Sequence, residues 1–183
     1  MKNYFTKYKP FLLFLGKFLL AYLLLTFVYQ FYLSRFDSAA YEVDTITKMV
    51  SYQTQELLHF FNANASIIPH PEEASFKIIY NGKYLARIIE GCNAVSVIIL
   101  FVAFVVAFTG KLRHTILFAL FGSMLIYMLN VWRIALLSYL LYYYPAQQRL
   151  LHDVFFPLCI YGVVFILWII WVNKFSLYAR KTV

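Results

Sequence analysis

A thiol, a guanidinium and an imidazole lie near the ends of three different apolar stretches of this 183-residue chain. They belong to Cys92, Arg133 and His152. A thiolate is a nucleophile, an arginine keeps its proton and can stabilise an oxyanion, and a histidine moves protons near neutral pH. Together these roles describe acyl transfer through a thioester, provided that the fold brings the three side chains together.

Taken singly, these residues carry different weight. A lone cysteine is more often a small packed side chain, and this is our interpretation of Cys159, which lies inside an apolar run. A lone histidine is more often an interfacial residue. An arginine below a membrane surface is costly and marks a functional site or a buried pair. The structural alternatives are therefore an ion pair between Arg133 and Glu90, and a disulfide between Cys92 and Cys159.

The composition predicts a membrane protein that would position these groups. The chain is 63% hydrophobic, against about 45–50% in ordinary soluble domains, and its mean hydropathy is +0.70. The excess falls into four candidate spans, at residues 11–33, 94–109, 115–141 and about 154–172. The second becomes long enough to span only if it starts near Gly91, because a membrane helix needs roughly 17–25 residues.

The first span has a second interpretation, as a signal peptide. Ser38 and Ala40 are small residues near a possible cleavage site. The apolar part is longer than the usual 7–15 residues of a signal peptide, so an uncleaved anchor is favoured.

Charge placement predicts the orientation. With the N-terminus in the cytoplasm, nine basic residues and no acid fall on the cytoplasmic side: Lys2, Lys7, Lys9, Lys17, Lys111, Arg113, Lys174, Arg180 and Lys181. All eight acids fall on the other side. This positive-inside bias predicts cytoplasmic N- and C-termini. The net charge of +8 therefore reports topology and does not indicate a nucleic-acid-binding face.

The segment between the first two spans, residues 34–90, is predicted to be a small ordered insert outside the cytoplasm. An amphipathic helix is expected from apolar residues at helical spacing: Val43, Ile46, Val50, Leu57 and Phe61. Asn81-Gly82 between two short apolar runs predicts a β-hairpin with a type I′ turn. The chain thus divides into an anchor (1–33), the insert (34–90) and a core (91–183).

Depth counting predicts that the three chemical groups meet. Cys92 is seventeen residues from Thr109, about 26 Å along a helix, and Arg133 is eighteen residues from Thr115, about 27 Å. The short loop between these spans makes them antiparallel neighbours. His152 precedes the last span by two residues. All three are therefore expected at the outer edge of a roughly 30 Å hydrocarbon layer, with Cys92 at a helix N-terminus that favours the thiolate.

These motifs resemble the exosortase/archaeosortase family over roughly residues 75–175. The similarity lies in the run from Glu90 to Ala94, the run from Asn130 to Ile134, and His152 at the start of the last span. The short chain with one anchor ahead of the core resembles the F-type branch of Bacteroidota. The sequence departs from the family in one place, since members commonly carry Ser and then Gly or Ala after the cysteine, where this chain has Asn93 and Ala94.

The resemblance implies a membrane-embedded cysteine transpeptidase or protease, a multi-pass protein of the cell inner membrane with its active site facing the periplasm. Its substrates would be exported proteins with a C-terminal motif, a membrane helix and a basic cluster. The expected site residues are Cys92 as nucleophile, Arg133 as oxyanion stabiliser, His152 as acid and base, and Asn93, Asn130 and Asp153 in support. Asn130 would help to position Arg133 or the substrate carbonyl.

Other functions are weighed against this one. A non-catalytic membrane scaffold or assembly factor would use Arg133 and Glu90 as a structural pair. A transporter or channel subunit is disfavoured because no repeated halves or interrupted helix pairs are present. An intramembrane serine protease is disfavoured because no serine lies in a recognisable nucleophile context. Neither a metal nor another cofactor is expected, because the four histidines are scattered: His59, His70, His114 and His152.

Overall fold

The computed structural model of the protein describes residues 2–37, 40–108 and 110–176. Ser38, Thr109, Arg180 and Lys181, which entered the expectations above, lie outside the described residues. The elements, in chain order, are α1 (Lys2–Leu33), α2 (Thr45–Phe60), β1 (Ala65–Pro69), β2 (Phe76–Tyr80), β3 (Lys83–Ile88), α3 (Val95–Ala107), α4 (Leu112–Tyr143), α5 (Gln148–Leu150) and α6 (Phe156–Ile170). The protein is mainly helical with one small sheet, as predicted.

Three helices in the described part of the chain are long and apolar enough to cross a membrane: Tyr8–Leu33, Leu112–Tyr143 and Pro145–Phe175. The last, which we call the terminal run, contains α5 and α6. The second predicted span is different, because α3 has only 13 residues. It is about 20 Å long, shorter than the hydrocarbon layer. It packs against α1, α4 and α6, so it forms the centre of the helix bundle.

Close contacts between helices hold both the middle of the bundle and the end opposite the insert. A Cβ on Gly122 of α4 would lie 2.3 Å from the Phe101 ring of α3, so only glycine allows this approach. Trp171 lies close to Gly110, and its Nε1 donates to the Phe108 carbonyl at 3.2 Å. These contacts set the relative heights of α3, α4 and the terminal run.

The insert contains the predicted hairpin and one strand more. β2 and β3 are antiparallel and joined at Asn81 and Gly82, whose φ angles of 48° and 74° are the positive values that a type I′ turn requires. β1 pairs with the free edge of β2, giving the order β1-β2-β3. The hairpin prediction is confirmed, whereas β1 was not predicted.

The predicted amphipathic helix of the insert is α2, and the predicted apolar face largely meets the core: Val50 is buried, and Val43 and Leu57 pack against the same cluster. The buried residues are Thr47, Val50, Ser51, Thr54 and Leu58, while Phe61 follows the helix and is 56% exposed. The small hydroxyl residues can be buried because each of two donates to a carbonyl of its own helix at 2.8 Å. Asp44 caps the helix by accepting from the backbone N–H groups of Ile46 and Thr47.

The insert and the bundle share a core. Val50 of α2, Ile67 of β1, Phe76 and Ile78 of β2 and Ile88 of β3 pack with Val131 and Ile134 of α4. Val131 and Ile134 flank Arg133 in sequence, so the sheet is fixed directly beside the arginine. The insert therefore forms a wall of the region where the predicted site residues lie and is not a detached lid.

Candidate active site

A cavity of about 410 Å³ lies between β3, the segment that carries Cys92, α4 and the start of the terminal run. Its lining includes Cys92, Arg133 and His152. We call it the Cys92 cavity. Three residues that are 41 and 19 positions apart along the chain thus line one space, as the depth counting predicted. Most of the remaining lining is apolar, with Arg87, Ser138 and Gln148 among the polar exceptions.

Cys92 is half-buried at the end of a single 3-10 turn, Glu90–Cys92, and not at the first position of a helix. The prediction that it begins the membrane helix is wrong, because α3 starts only at Val95. Ala94, with a φ of 65°, adopts the left-handed conformation and separates the two elements. That conformation costs an alanine about 1–2 kcal/mol. We call residues 90–94 the cysteine turn.

Asn93 is 1% exposed and holds the cysteine turn with both atoms of its amide. Its Oδ1 accepts from the Val95 backbone N–H at 2.9 Å, which caps the start of α3. Its Nδ2 donates to the Tyr29 hydroxyl at 2.8 Å and to the Thr47 hydroxyl at 3.2 Å. Asn93, the residue at which this chain differs from the resembled pattern, is therefore a buried amide that joins α1, α2 and α3.

Tyr29 and Thr47 are part of the site's support, and sequence reasoning missed both. Tyr29 is 7% exposed near the C-terminal end of α1, and its hydroxyl donates to the Glu90 carboxylate. Thr47 is fully buried on α2. Local spacing gives no signal for these contacts, because Tyr29 lies 64 positions from Asn93 and Thr47 lies 46 positions away.

Asn130 holds the backbone of Cys92 from the opposite side. It lies one turn before Arg133 on α4, is 1% exposed, and donates from Nδ2 to the Cys92 carbonyl at 2.7 Å. The amide nitrogen is therefore engaged by the chain itself, whereas the sequence-based expectation assigned it to Arg133 or to a substrate carbonyl. Anchors from α1, α2 and α4 converge on the cysteine turn.

Arg133 is half-buried, and its Nε is buried without a hydrogen-bond partner. Within the residues that the structure describes, Arg133 forms no ion pair, whereas Arg87 pairs with Glu73. Glu90 instead accepts from Tyr29. The structural alternative of an Arg133–Glu90 pair is therefore not formed, and the guanidinium remains available to the cavity.

His152 is exposed in a π-helical turn, Leu151–Phe155, that leads into α6. π-Helical turns are rare in proteins, and those that occur are often found at functional sites. Its Nδ1 lies 2.8 Å from Oδ1 of Asp153. A proton on Nδ1 would donate to this carboxylate, which leaves Nε2 as the nitrogen that can exchange a proton with a substrate. The expected support from Asp153 is thus present in the geometry.

The two cysteines are both free, so the disulfide alternative is not formed. Cys159 was predicted to be packed inside the protein, and this is wrong, because the residue is exposed on α6. On a membrane-spanning helix such a position faces lipid, so an apolar run alone does not tell the protein-facing side from the lipid-facing side.

The charges that line the Cys92 cavity are all basic or imidazole groups: Arg87, Arg133 and His152. Arg87 on β3 was not predicted to belong to the site, and it forms an ion pair with Glu73. Among the described residues no group of three histidine, cysteine or acidic side chains could hold a metal ion. The arrangement offers a thiol, a guanidinium and a paired imidazole, which are the groups needed for acyl transfer.

Comparison with known proteins agrees with the resemblance seen in the motifs. The profile of the transmembrane exosortases matches residues 10–176, from α1 through the sheet to the end of the terminal run. Neither the curated proteins nor the solved structures contain a significant match. The family match includes every element that lines the Cys92 cavity, and it covers most of the chain. The chain therefore belongs to the transmembrane exosortase family.

Proposed function

We propose that the protein is a cysteine transpeptidase or protease that removes C-terminal sorting signals from exported proteins through a thioester. The observation that carries this proposal is the meeting of Cys92, Arg133 and His152 in one cavity. Membership of the exosortase family supports a role in protein sorting. The assignment of chemistry to these side chains rests on their types and on their shared cavity.

The first step is attack of the Cys92 thiolate on the scissile carbonyl carbon. A C–S bond forms, and the carbonyl π electrons move to oxygen, where Arg133 stabilises the negative charge. The intermediate collapses by breaking the C–N bond. His152, as the acid, gives a proton to the departing amine, so the C-terminal sorting signal leaves as a neutral amine and the rest of the substrate stays on sulfur as a thioester.

The second step transfers the acyl group from sulfur. His152, now neutral, takes a proton from the acceptor, which is water in a protease and an amine or hydroxyl in a transpeptidase. The acceptor attacks the thioester carbonyl, Arg133 again faces the oxyanion, and the C–S bond breaks to regenerate the Cys92 thiolate. Asp153 holds the imidazole by its Nδ1 throughout both steps.

The membrane geometry supports a scissile bond just outside a substrate's membrane helix. Arg133 lies 21 residues after the start of α4, which is about 32 Å along a helix and close to the roughly 30 Å thickness of the hydrocarbon layer. With cytoplasmic termini in the inner membrane, the Cys92 cavity opens on the periplasmic side. A substrate tail with a cytoplasmic basic cluster would follow the same positive-inside rule.

The scaffold alternative predicts that the cavity residues are dispensable for processing. The test is to co-express the protein with an exported protein that carries a C-terminal motif, membrane helix and basic cluster, and to follow the size and membrane release of that protein. Cys92→Ser and His152→Ala should abolish or strongly slow processing, while Asp153→Ala should slow it less. The matched control is Cys159→Ala, which should process normally.

Each outcome of this experiment separates the two functions. Complete processing by Cys92→Ala would refute a covalent role for the thiol. Equal processing by wild-type protein and His152→Ala would remove His152 as the acid–base residue. Loss of processing in Cys92→Ser at unchanged protein level and folding would exclude a purely structural role.

A further inference from the structure

Tyr29 connects the first membrane helix to both sides of Cys92. Its hydroxyl donates to Oε1 of Glu90, two residues before the thiol, and accepts from Nδ2 of Asn93, the residue directly after it. The side chain is 7% exposed and Asn93 is 1% exposed, so both groups are held in a packed interior. Replacing this hydroxyl would leave two neighbours of the thiol without one of their partners.

The position of Glu90 makes the contact significant for the thiol. Glu90 is the acid of the cysteine turn, yet it is not part of the cavity lining, which carries Arg87, Arg133 and His152. A carboxylate turned into the cavity would oppose formation of the Cys92 thiolate and would compete for the Arg133 guanidinium. The hydrogen bond from the Tyr29 hydroxyl of α1 holds the Glu90 carboxylate outside the cavity.

We propose that Tyr29 is a positioning residue for the Cys92 site. Its hydroxyl keeps the Glu90 carboxylate outside the cavity and, through Asn93, fixes the cysteine turn. The first membrane helix is then a working part of the site as well as an anchor. The inference deepens the proposed function, because it takes Cys92 as the reactive thiol.

Tyr29→Phe isolates this contact because it removes only the hydroxyl. Asn93 keeps its bonds to Thr47 and to the Val95 backbone N–H, and Asn130 keeps the Cys92 carbonyl. The turn therefore retains most of its anchors, while Glu90 loses its partner and can rotate toward the thiol. The matched control is Tyr32→Phe on the same helix, whose hydroxyl accepts from the Ile46 backbone N–H at 3.3 Å.

The readout is the alkylation rate of Cys92 as a function of pH, measured on the full-length protein in detergent with iodoacetamide. All variants carry Cys159→Ala, so that only one thiol reacts. Tyr29→Phe should raise the pH of half-maximal alkylation by on the order of 0.5 to 1 unit, because a nearby negative charge disfavours the thiolate. Tyr32→Phe should leave the profile unchanged.

Two further variants tie the shift to Glu90. Glu90→Gln removes the charge, so adding Tyr29→Phe to it should produce no further shift. Glu90→Asp keeps the charge on a side chain too short to reach the hydroxyl, so it should shift the profile upward as Tyr29→Phe does. This second variant tests the same contact without changing α1, in case Tyr29→Phe fails to fold.

A profile for Tyr29→Phe or Glu90→Asp that matches the wild type would overturn the proposal, and so would an equal shift of Tyr29→Phe in the Glu90→Gln background. Alkylation needs no substrate, so this result is separate from the test of function. Shifted alkylation together with normal substrate processing by Cys92→Ser would keep the positioning role and reject the thioester chemistry.

Discussion

Asn130→Ala is the sharpest test of how the cysteine turn is held. The substitution removes the donor that lies 2.7 Å from the Cys92 carbonyl, in a side chain that is 1% exposed. The Cys92 carbonyl is partly buried, and leaving such an acceptor without a partner costs about 1–3 kcal/mol. At roughly 2–4 °C per kcal/mol for a chain of this size, Tm should fall by about 2–12 °C.

The matched control is Ser138→Ala, two turns further along the same helix. Ser138 is equally buried, but its hydroxyl donates at 2.8 Å to the Ile134 carbonyl of its own helix. The Ile134 carbonyl also accepts the backbone N–H of the next helical turn, so it keeps a partner in the variant. Ser138→Ala should therefore leave Tm nearly unchanged. Both variants are compared in the same assay, thermal unfolding of the detergent-solubilised protein.

Processing by the same variants gives the second half of the test. Asn130→Ala should slow processing of the tail-bearing substrate at a temperature well below its Tm, because the thiol is less well oriented. A Tm loss for Asn130→Ala no larger than that for Ser138→Ala would refute the role of the Asn130–Cys92 bond in holding the turn.

Three other predictions concern chemistry, packing and topology. Arg133→Lys keeps the charge but loses the planar fork, so processing should fall by on the order of 10²–10³; near-normal turnover would mean that the arginine supplies charge alone. Gly122→Ala should lower Tm because its Cβ would lie 2.3 Å from the Phe101 ring, whereas Gly162→Ala, with open space around the new Cβ, should not; equal melting of the two would contradict the close packing. Reporter fusions at the end of α2 and at the start of α4 should report opposite compartments, and a shared compartment would contradict the charge-based orientation.

The overall architecture could be read from composition and periodicity because lipid imposes simple rules on a chain. Long apolar runs predict three of the membrane helices, and Asn81-Gly82 predicts the hairpin, since each signal is local. The second span could not be delimited, because its boundary depends on the φ of Ala94. Apolar runs also do not say which face meets protein, and so Cys159 was misassigned.

The candidate site divides in the same way. Equal counts of residues from the short loop predicted that Cys92 and Arg133 lie at the same depth, because a helix has a fixed rise per residue. The position of His152 just before the last span predicted that it joins them. The partners of Glu90 and Asn93 were not predictable in this way. Tyr29 and Thr47 reach the turn from other helices, and hydrogen bonds between distant segments follow from packing and not from spacing.

The sequence by itself determined the kind of protein, the order of its helices and the identity of the chemical groups, since hydrophobicity, charge and side-chain chemistry belong to residues taken singly or in local runs. Only the tertiary structure decided that Cys92 lies in a turn ahead of α3, that Arg133 is not neutralised by Glu90, and that α1 supports the thiol. Each of these features depends on which polar groups form hydrogen bonds with one another in the packed interior. Those pairings are settled only when the helices and the sheet pack together and exclude water.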